Sequence, residues 1–96
     1  MLAVHTIDTS TRLAVLNSSL SQLRREADRL GAGDTIHRLR NSILTAQGAL
    51  GLVESRLAQG RSDEVDKLLE LAETRLREAR SLVARRRRSR STTILV

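Results

Sequence analysis

The sequence predicts an all-α fold of three helices, and three observations support this prediction. Apolar residues recur at steps of three and four along three segments, which is the period of an amphipathic helix. The 96 residues include no Pro and no aromatic side chain, which argues against a β-sandwich or barrel. Gly31, Gly33 and Gly60 fall between the periodic segments, where glycine commonly ends helices.

The first predicted helix carries one narrow apolar stripe. Thr9 or Ser10 is expected to cap its N-terminus, and Gly31 with Gly33 is expected to end it. The stripe consists of Leu13, Leu16, Leu20, Leu23, Ala27 and Leu30.

The second predicted helix has the same spacing. Asp34 is its expected N-cap and Gly60 its expected stop. Its stripe consists of Ile36, Leu39, Ile43, Ala46, Leu50, Val53 and Leu57.

The third predicted helix carries the widest stripe. Ser62 is its expected cap, and acidic residues in its first turn (Asp63, Glu64 and Asp66) suit the positive end of the helix dipole. The helix is expected to fray from Arg86 and to lead into a flexible tail over residues 89–96. Its stripe consists of Val65, Leu69, Ala72, Leu76, Ala79 and Val83, widened by Leu68, Leu71 and Leu82.

Short connections between long helices predict antiparallel neighbours, so residues 34–88 should form a helical hairpin. A single-chain three-helix bundle remains open. The preferred arrangement is a homodimer in which two hairpins pair as a four-helix bundle, because the stripes suit an intermolecular seam. Residues 1–33, a helix and a glycine-containing linker, either feed signals into the hairpin or fold back over its apolar surface.

Residues 1–84 hold 12 of the 17 basic side chains and all 11 acidic ones, so their net charge is only +1. The formal net charge of +6 is therefore concentrated at the C-terminus. A solvated helix end and a weak contact with nucleic acid or an anionic surface are both open for this segment. Without aromatic residues for stacking, sequence-specific DNA binding is not expected. The five basic residues that follow position 84 are Arg85, Arg86, Arg87, Arg88 and Arg90.

Several classes of protein are disfavoured. No Cys is present, so no disulfide framework is expected, and His5 and His37 are too distant in sequence to form a zinc site alone. We therefore expect neither a metal site nor a cofactor. No apolar run reaches membrane-spanning length and no signal peptide is evident, so a cytoplasmic location is expected.

His37 begins a second stripe on the second helix, beside the apolar seam. This stripe contains His37, Asn41, Leu44, Gly48 and Gly51. Glycine inside a helix costs about 1 kcal/mol relative to alanine, which suggests that another backbone approaches closely there. An ordinary surface histidine is the alternative interpretation on spacing alone, and His5 is assigned no role.

The segment His37-Arg38-Leu39-Arg40-Asn41-Ser42 resembles the H-box of two-component sensor histidine kinases, whose pattern is His, an acid, Leu or Ile, Arg or Lys, Thr or Asn, then usually Pro. Four of the six positions match, and the hairpin over residues 34–88 resembles the dimerisation and histidine phosphotransfer domain of that family. The resemblance implies a dimeric four-helix bundle with exposed histidines.

The resemblance assigns roles to individual residues. His37 would be the phosphoryl carrier, and Asn41 would position water for dephosphorylating a receiver domain's aspartyl phosphate. Arg38 and Arg40 would contact the phosphoryl group or an acidic partner surface. Arg38, however, occupies the position where the family places the acid that orients the imidazole. Asp34, one turn before His37, is the expected substitute.

The implied function is a two-component module that docks a receiver domain and transfers or removes a phosphoryl group. It would act as a phosphotransferase or a phosphatase and not as a self-sufficient kinase, because no glycine-rich ATP-binding box follows His37. A separate kinase catalytic domain would supply phosphoryl groups from ATP, and the receiver would bring its own Mg²⁺. The alternatives are an inert helical bundle that sequesters a kinase or response regulator, and a small basic nucleic-acid-binding protein.

Overall fold

The protein is a bundle of three helices, described by a computed structural model. The model describes the backbone of residues 2–31 and 33–95 and the side chains of residues 9–31 and 33–86. The helices are α1 (Leu2–Leu30), α2 (Asp34–Ala58) and α3 (Val65–Leu95). No strand occurs in the described ranges, so the predicted all-α class and the three helices are confirmed.

One core joins the three helices. Leu39, Val53 and Leu69 are among the side chains with no measurable exposure. All but a few of the predicted stripe positions are buried or half-buried, which confirms the periodicity as a core pattern. The buried apolar residues are Leu16, Leu20, Leu23, Ala27, Ile36, Leu39, Ile43, Ala46, Ala49, Leu50, Val53, Val65, Leu69, Ala72, Leu76, Ala79 and Val83.

The prediction of a core position is wrong for two stripe residues. Leu57 is 39% exposed because it lies in the last turn of α2, at the end of the bundle. Leu71 is 38% exposed because it lies at the edge of the widened α3 stripe. Ala49, which the predicted stripe omits, is buried instead.

Helix α1 folds back onto the hairpin and packs against both α2 and α3. Polar contacts flank this apolar packing. The Arg12 Nε donates to Glu73 Oε1 at 3.0 Å, and a guanidinium nitrogen of Arg80 donates to the Ser19 hydroxyl at 2.6 Å. On the α2 side, the Asn17 amide donates to the Glu54 carboxylate at 3.2 Å. Of the two arrangements open to the N-terminal segment, the structure shows the folded-back one.

The glycines end helices as predicted, whereas the predicted caps are wrong. Gly31 and Gly60 have φ of 87° and 71°, the left-handed conformation that glycine adopts readily. Gly33, not Asp34, occupies the N-cap position of α2, and no side chain caps that helix. Asp34 is the first helical residue, where its charge still suits the helix dipole.

The predicted ends of α1 and α3 also differ from the structure. Helix α1 begins at Leu2, so neither Thr9 nor Ser10 caps it, since no Gly or Pro interrupts the preceding residues. Helix α3 begins at Val65, after Glu64 in a left-handed conformation (φ 64°), and Ser62 contributes only its backbone carbonyl. The α3 backbone continues past Arg86 to Leu95, because arginine is a good helix former and no helix breaker follows.

Candidate functional site

Helix α2 turns one face to the core and the opposite face to solvent. Every member of the second predicted stripe lies on the exposed face. A methyl group placed on Gly48 or Gly51 would meet no atom of another described segment within 4 Å, so neither α1 nor α3 approaches them closely over the described residues. Leu44 is 63% exposed, more than the other exposed large hydrophobic side chains among the described residues. We call this surface (His37, Asn41, Leu44, Gly48 and Gly51) the open face of α2.

His37 lies in the first turn of α2. Its backbone N–H donates to the Gly33 carbonyl at 2.9 Å, and its side chain is exposed. Asp34 is exposed one turn earlier, but no hydrogen bond or ion pair joins it to His37 in the described part of the chain. The structure therefore places the proposed carrier in solvent without an acidic partner.

Asn41 lies one turn beyond His37 on the same face. Its backbone carbonyl accepts a hydrogen bond from the Thr45 hydroxyl at 3.0 Å, and its side-chain amide makes no hydrogen bond to a described residue. An amide that is exposed and unengaged can orient a water molecule or bind a ligand. The structure thus brings His37 and Asn41 to one surface, as their spacing predicts.

Arg38 and Arg40 are separated by the helix. Both are exposed, but Arg38 lines a cleft between α2 and α3, whereas Arg40 lines a groove between α1 and α2. Residues two positions apart on a helix differ by about 200° in direction at 3.6 residues per turn. The two side chains therefore flank the open face from opposite edges.

The cleft between α2 and α3 was not predicted. Besides Arg38 and Asn41 it is lined by Ser42 and by residues of α3 that include Ser81 and Arg85. Arg38 and Ser42 stand four residues apart, a spacing that could have indicated a common face. Which α3 residues lie opposite them depends on the packing of the hairpin, which the sequence does not specify.

Most of the predicted anionic contact segment lies outside the described side chains. Arg85 is exposed and Arg86 is half-buried, with an Nε that has no hydrogen-bond partner in the structure. The side chains of Arg87, Arg88 and Arg90 lie outside the described residues, as does that of His5. Contact of this segment with nucleic acid or an anionic surface stays a prediction.

Among the described residues, no group of three or more His, Cys, Asp or Glu side chains is placed to hold a metal ion. None of the helices, over the same residues, combines the length and apolar character needed to cross a bilayer.

No protein-family model, curated protein or solved structure matches this chain significantly. The class shown is therefore a small three-helix protein with an exposed histidine and asparagine on one helix face.

Proposed function

We propose that the protein is a two-component signalling module that docks a receiver domain on the open face of α2 and transfers or removes a phosphoryl group. The observation that carries the proposal is the shared exposure of His37 and Asn41, one turn apart, beside an uncovered leucine and two glycines. Small residues at Gly48 and Gly51 leave room for a partner backbone, and Leu44 offers an apolar contact.

In phosphotransfer, a neutral imidazole nitrogen of His37 would attack the phosphorus of a receiver aspartyl phosphate. The new P–N bond forms as the P–O bond to the aspartate breaks, and the aspartate leaves as a carboxylate. The imidazole then loses its ring proton to a base or to solvent. The receiver would supply Mg²⁺ to neutralise the phosphoryl oxygens.

In dephosphorylation, the Asn41 amide would orient a water molecule that attacks the same phosphorus atom, releasing inorganic phosphate. This reaction does not use His37 as a carrier. Phosphoryl acquisition from ATP would require a separate kinase catalytic domain, and Arg38 or Arg40 would contact the partner from opposite edges of the open face.

A homodimer is part of the proposal. In the structure, α1 covers the hairpin seam that two copies would use to form a four-helix bundle. Pairing through that seam requires α1 to separate, and the linker with Gly31 and Gly33 is where its direction could change. We propose that α1 and a second hairpin compete for the same apolar surface.

An inert interaction module is the second candidate, and two observations favour it. Arg38 stands where the resembled family has an acid, and Asp34 makes no hydrogen bond or ion pair with His37. Such a module would sequester a kinase or response regulator without exchanging phosphoryl groups.

Receiver domains from the source organism, each loaded with a radiolabelled phosphoryl group, would test the two candidates. We expect the wild type to speed loss of label from one receiver. His37→Ala should abolish transfer onto the protein, and Asn41→Ala should slow phosphate release. His5→Ala and Ser55→Ala are matched controls. No loss of label with any receiver, from a folded protein, would favour the inert module.

A further inference from the structure

An open cleft of about 400 Å³ runs between α2 and α3, and residues of α2 and α3 alone line it. We call it the α2–α3 cleft. It adjoins the open face of α2 through Asn41, which belongs to both surfaces, but His37 does not line it. Its polar lining consists of Arg38, Asn41, Ser42, Glu78, Ser81 and Arg85.

The cleft brings together two arginines from different helices. Neither Arg38 nor Arg85 forms an ion pair with a described residue. Glu78 is the one carboxylate in the lining, and it binds the Arg75 guanidinium on the same helix at 3.0 Å. The cleft therefore has excess positive charge, and guanidinium groups suit the oxygens of a phosphate.

Ser42 is a second, independent observation. It is the one buried polar side chain among the described residues, at 8% exposure, and it lines the cleft. Its hydroxyl makes no hydrogen bond to any described group. The hydroxyl is not among the buried atoms that lack a partner, so it opens to the solvent of the cleft and can donate to a ligand there. Asn41 and Ser81 add further donors around it.

We propose that the α2–α3 cleft binds a phosphate group, as the free ion or as a monoester. Arg38 and Arg85 would hold the phosphate from two sides, and the Ser42 hydroxyl would donate to one oxygen. The proposal concerns binding without reaction. It does not depend on phosphoryl transfer to His37.

The full-length protein would be titrated with inorganic phosphate and with O-phosphoserine at constant ionic strength, and binding would be followed by backbone and arginine Nε NMR signals. We expect saturable changes at Arg38, Ser42, Ser81 and Arg85. Arg85→Ala and Ser42→Ala should each weaken binding about tenfold or more, because each removes a bond to a charged ligand. Arg77→Ala and Ser55→Ala are the matched controls, as both residues are exposed and lie outside the cleft.

Tighter binding of O-phosphoserine would identify a monoester as the ligand, and tighter binding of inorganic phosphate would identify the free ion. Either result supports the site. Non-saturating changes spread over many arginines, or equal affinity in Arg85→Ala and Arg77→Ala, would overturn it. His37→Ala should retain phosphate binding, so failure of the cleft and failure of phosphoryl transfer are separately visible.

Discussion

At the scale of single residues, Ser42 shows how one substitution in a motif changes the surface. It stands where the resembled kinases usually have Pro, and here α2 continues through it without interruption. The residue is buried and lines the α2–α3 cleft. Alanine is the better helix former, so serine at this position gives the cleft a hydroxyl at a small cost in helix stability.

Ser42→Ala should therefore stabilise the free protein. We expect the free energy of unfolding to rise by about 0.5 kcal/mol, because alanine is the better helix former. Urea denaturation of the two proteins measures the change, and Ser55→Ala gives the effect of helix propensity at an exposed site. A loss of stability in Ser42→Ala, where Ser55→Ala loses none, would show that the hydroxyl has a structural partner.

Asp34 is the residue on which phosphoryl acceptance by His37 should depend. It lies one turn before His37, and we expect a change of side-chain rotamer to bring the carboxylate to the imidazole when a partner docks. Asp34→Asn should then slow phosphoryl acceptance by about a hundredfold or more, since an assisting base contributes about 10²–10⁴-fold. Single-turnover transfer from a labelled receiver measures this rate, with Asp28→Asn as the control. An unchanged rate would rule out the role of Asp34.

The sequence predicted which side chains of the site are exposed, but not which residues of other helices lie beside them. The exposure of His37 and Asn41 follows from helical period alone. The division of Arg38 and Arg40 between two grooves also follows from that period, although the family pattern suggested a common contact. The partners across each groove, such as Arg85 opposite Arg38, depend on the rotation and register of packed helices.

At the scale of elements, the helices were predictable because their apolar spacing is regular, whereas their ends were not. The turn between α2 and α3 shows the reason. Asp63, expected in the first turn of α3, instead binds Arg61 at 2.7 Å and Arg56 at 3.3 Å. Glu64 reaches the same Arg56 at 3.1 Å. Ion pairs within the turn thus hold acidic residues that the local sequence assigned to the start of α3.

Ionisation of Asp63 in this turn should make the free energy of unfolding depend on pH in the acid range. A hydrogen bond from Arg61, aided by the charges of Arg61 and Arg56, lowers the pKa of Asp63 from its ordinary 3.8. A lowered carboxyl pKa stabilises the folded state above pH 3.8, and that contribution disappears as pH falls through the lower folded-state pKa.

Asp63→Asn removes this ionisation. We expect the wild type to be slightly more stable than the variant at neutral pH, and the difference to vanish well below pH 3.8. Thermal unfolding across this pH range measures it, and added salt should shrink the neutral-pH difference because the pair is exposed. A difference that is the same at neutral and strongly acid pH would contradict the account.

At the scale of the whole molecule, the three stripes were predictable as buried surfaces, but their partners were not. The same spacing suits a second copy of the hairpin or a helix of the same chain. The structure shows α1 in this place, with Leu16, Leu20 and Leu23 in the shared core. Periodicity defines an apolar face, and the length and direction of a linker decide what covers it.

Competition between α1 and a second hairpin predicts a change in oligomeric state. Leu20→Asp places a charge in the core and should release α1 from the seam. At protein concentrations where the wild type is partly monomeric, light scattering should then give twice the 10.7 kDa of one chain, while Ser18→Asp, on the exposed side of α1, should behave as the wild type. A Leu20→Asp variant that is helical by circular dichroism and monomeric would show that the hairpins do not pair through this surface.

The most direct test of the central claim is to locate the phosphoryl group after incubation with a labelled receiver. Peptide mapping under alkaline conditions preserves a P–N bond, and mild acid should release the label. We predict acid-labile label on the peptide that contains His37, and none in His37→Ala. Label on another residue, or none on a folded protein with any receiver, would contradict the role of His37.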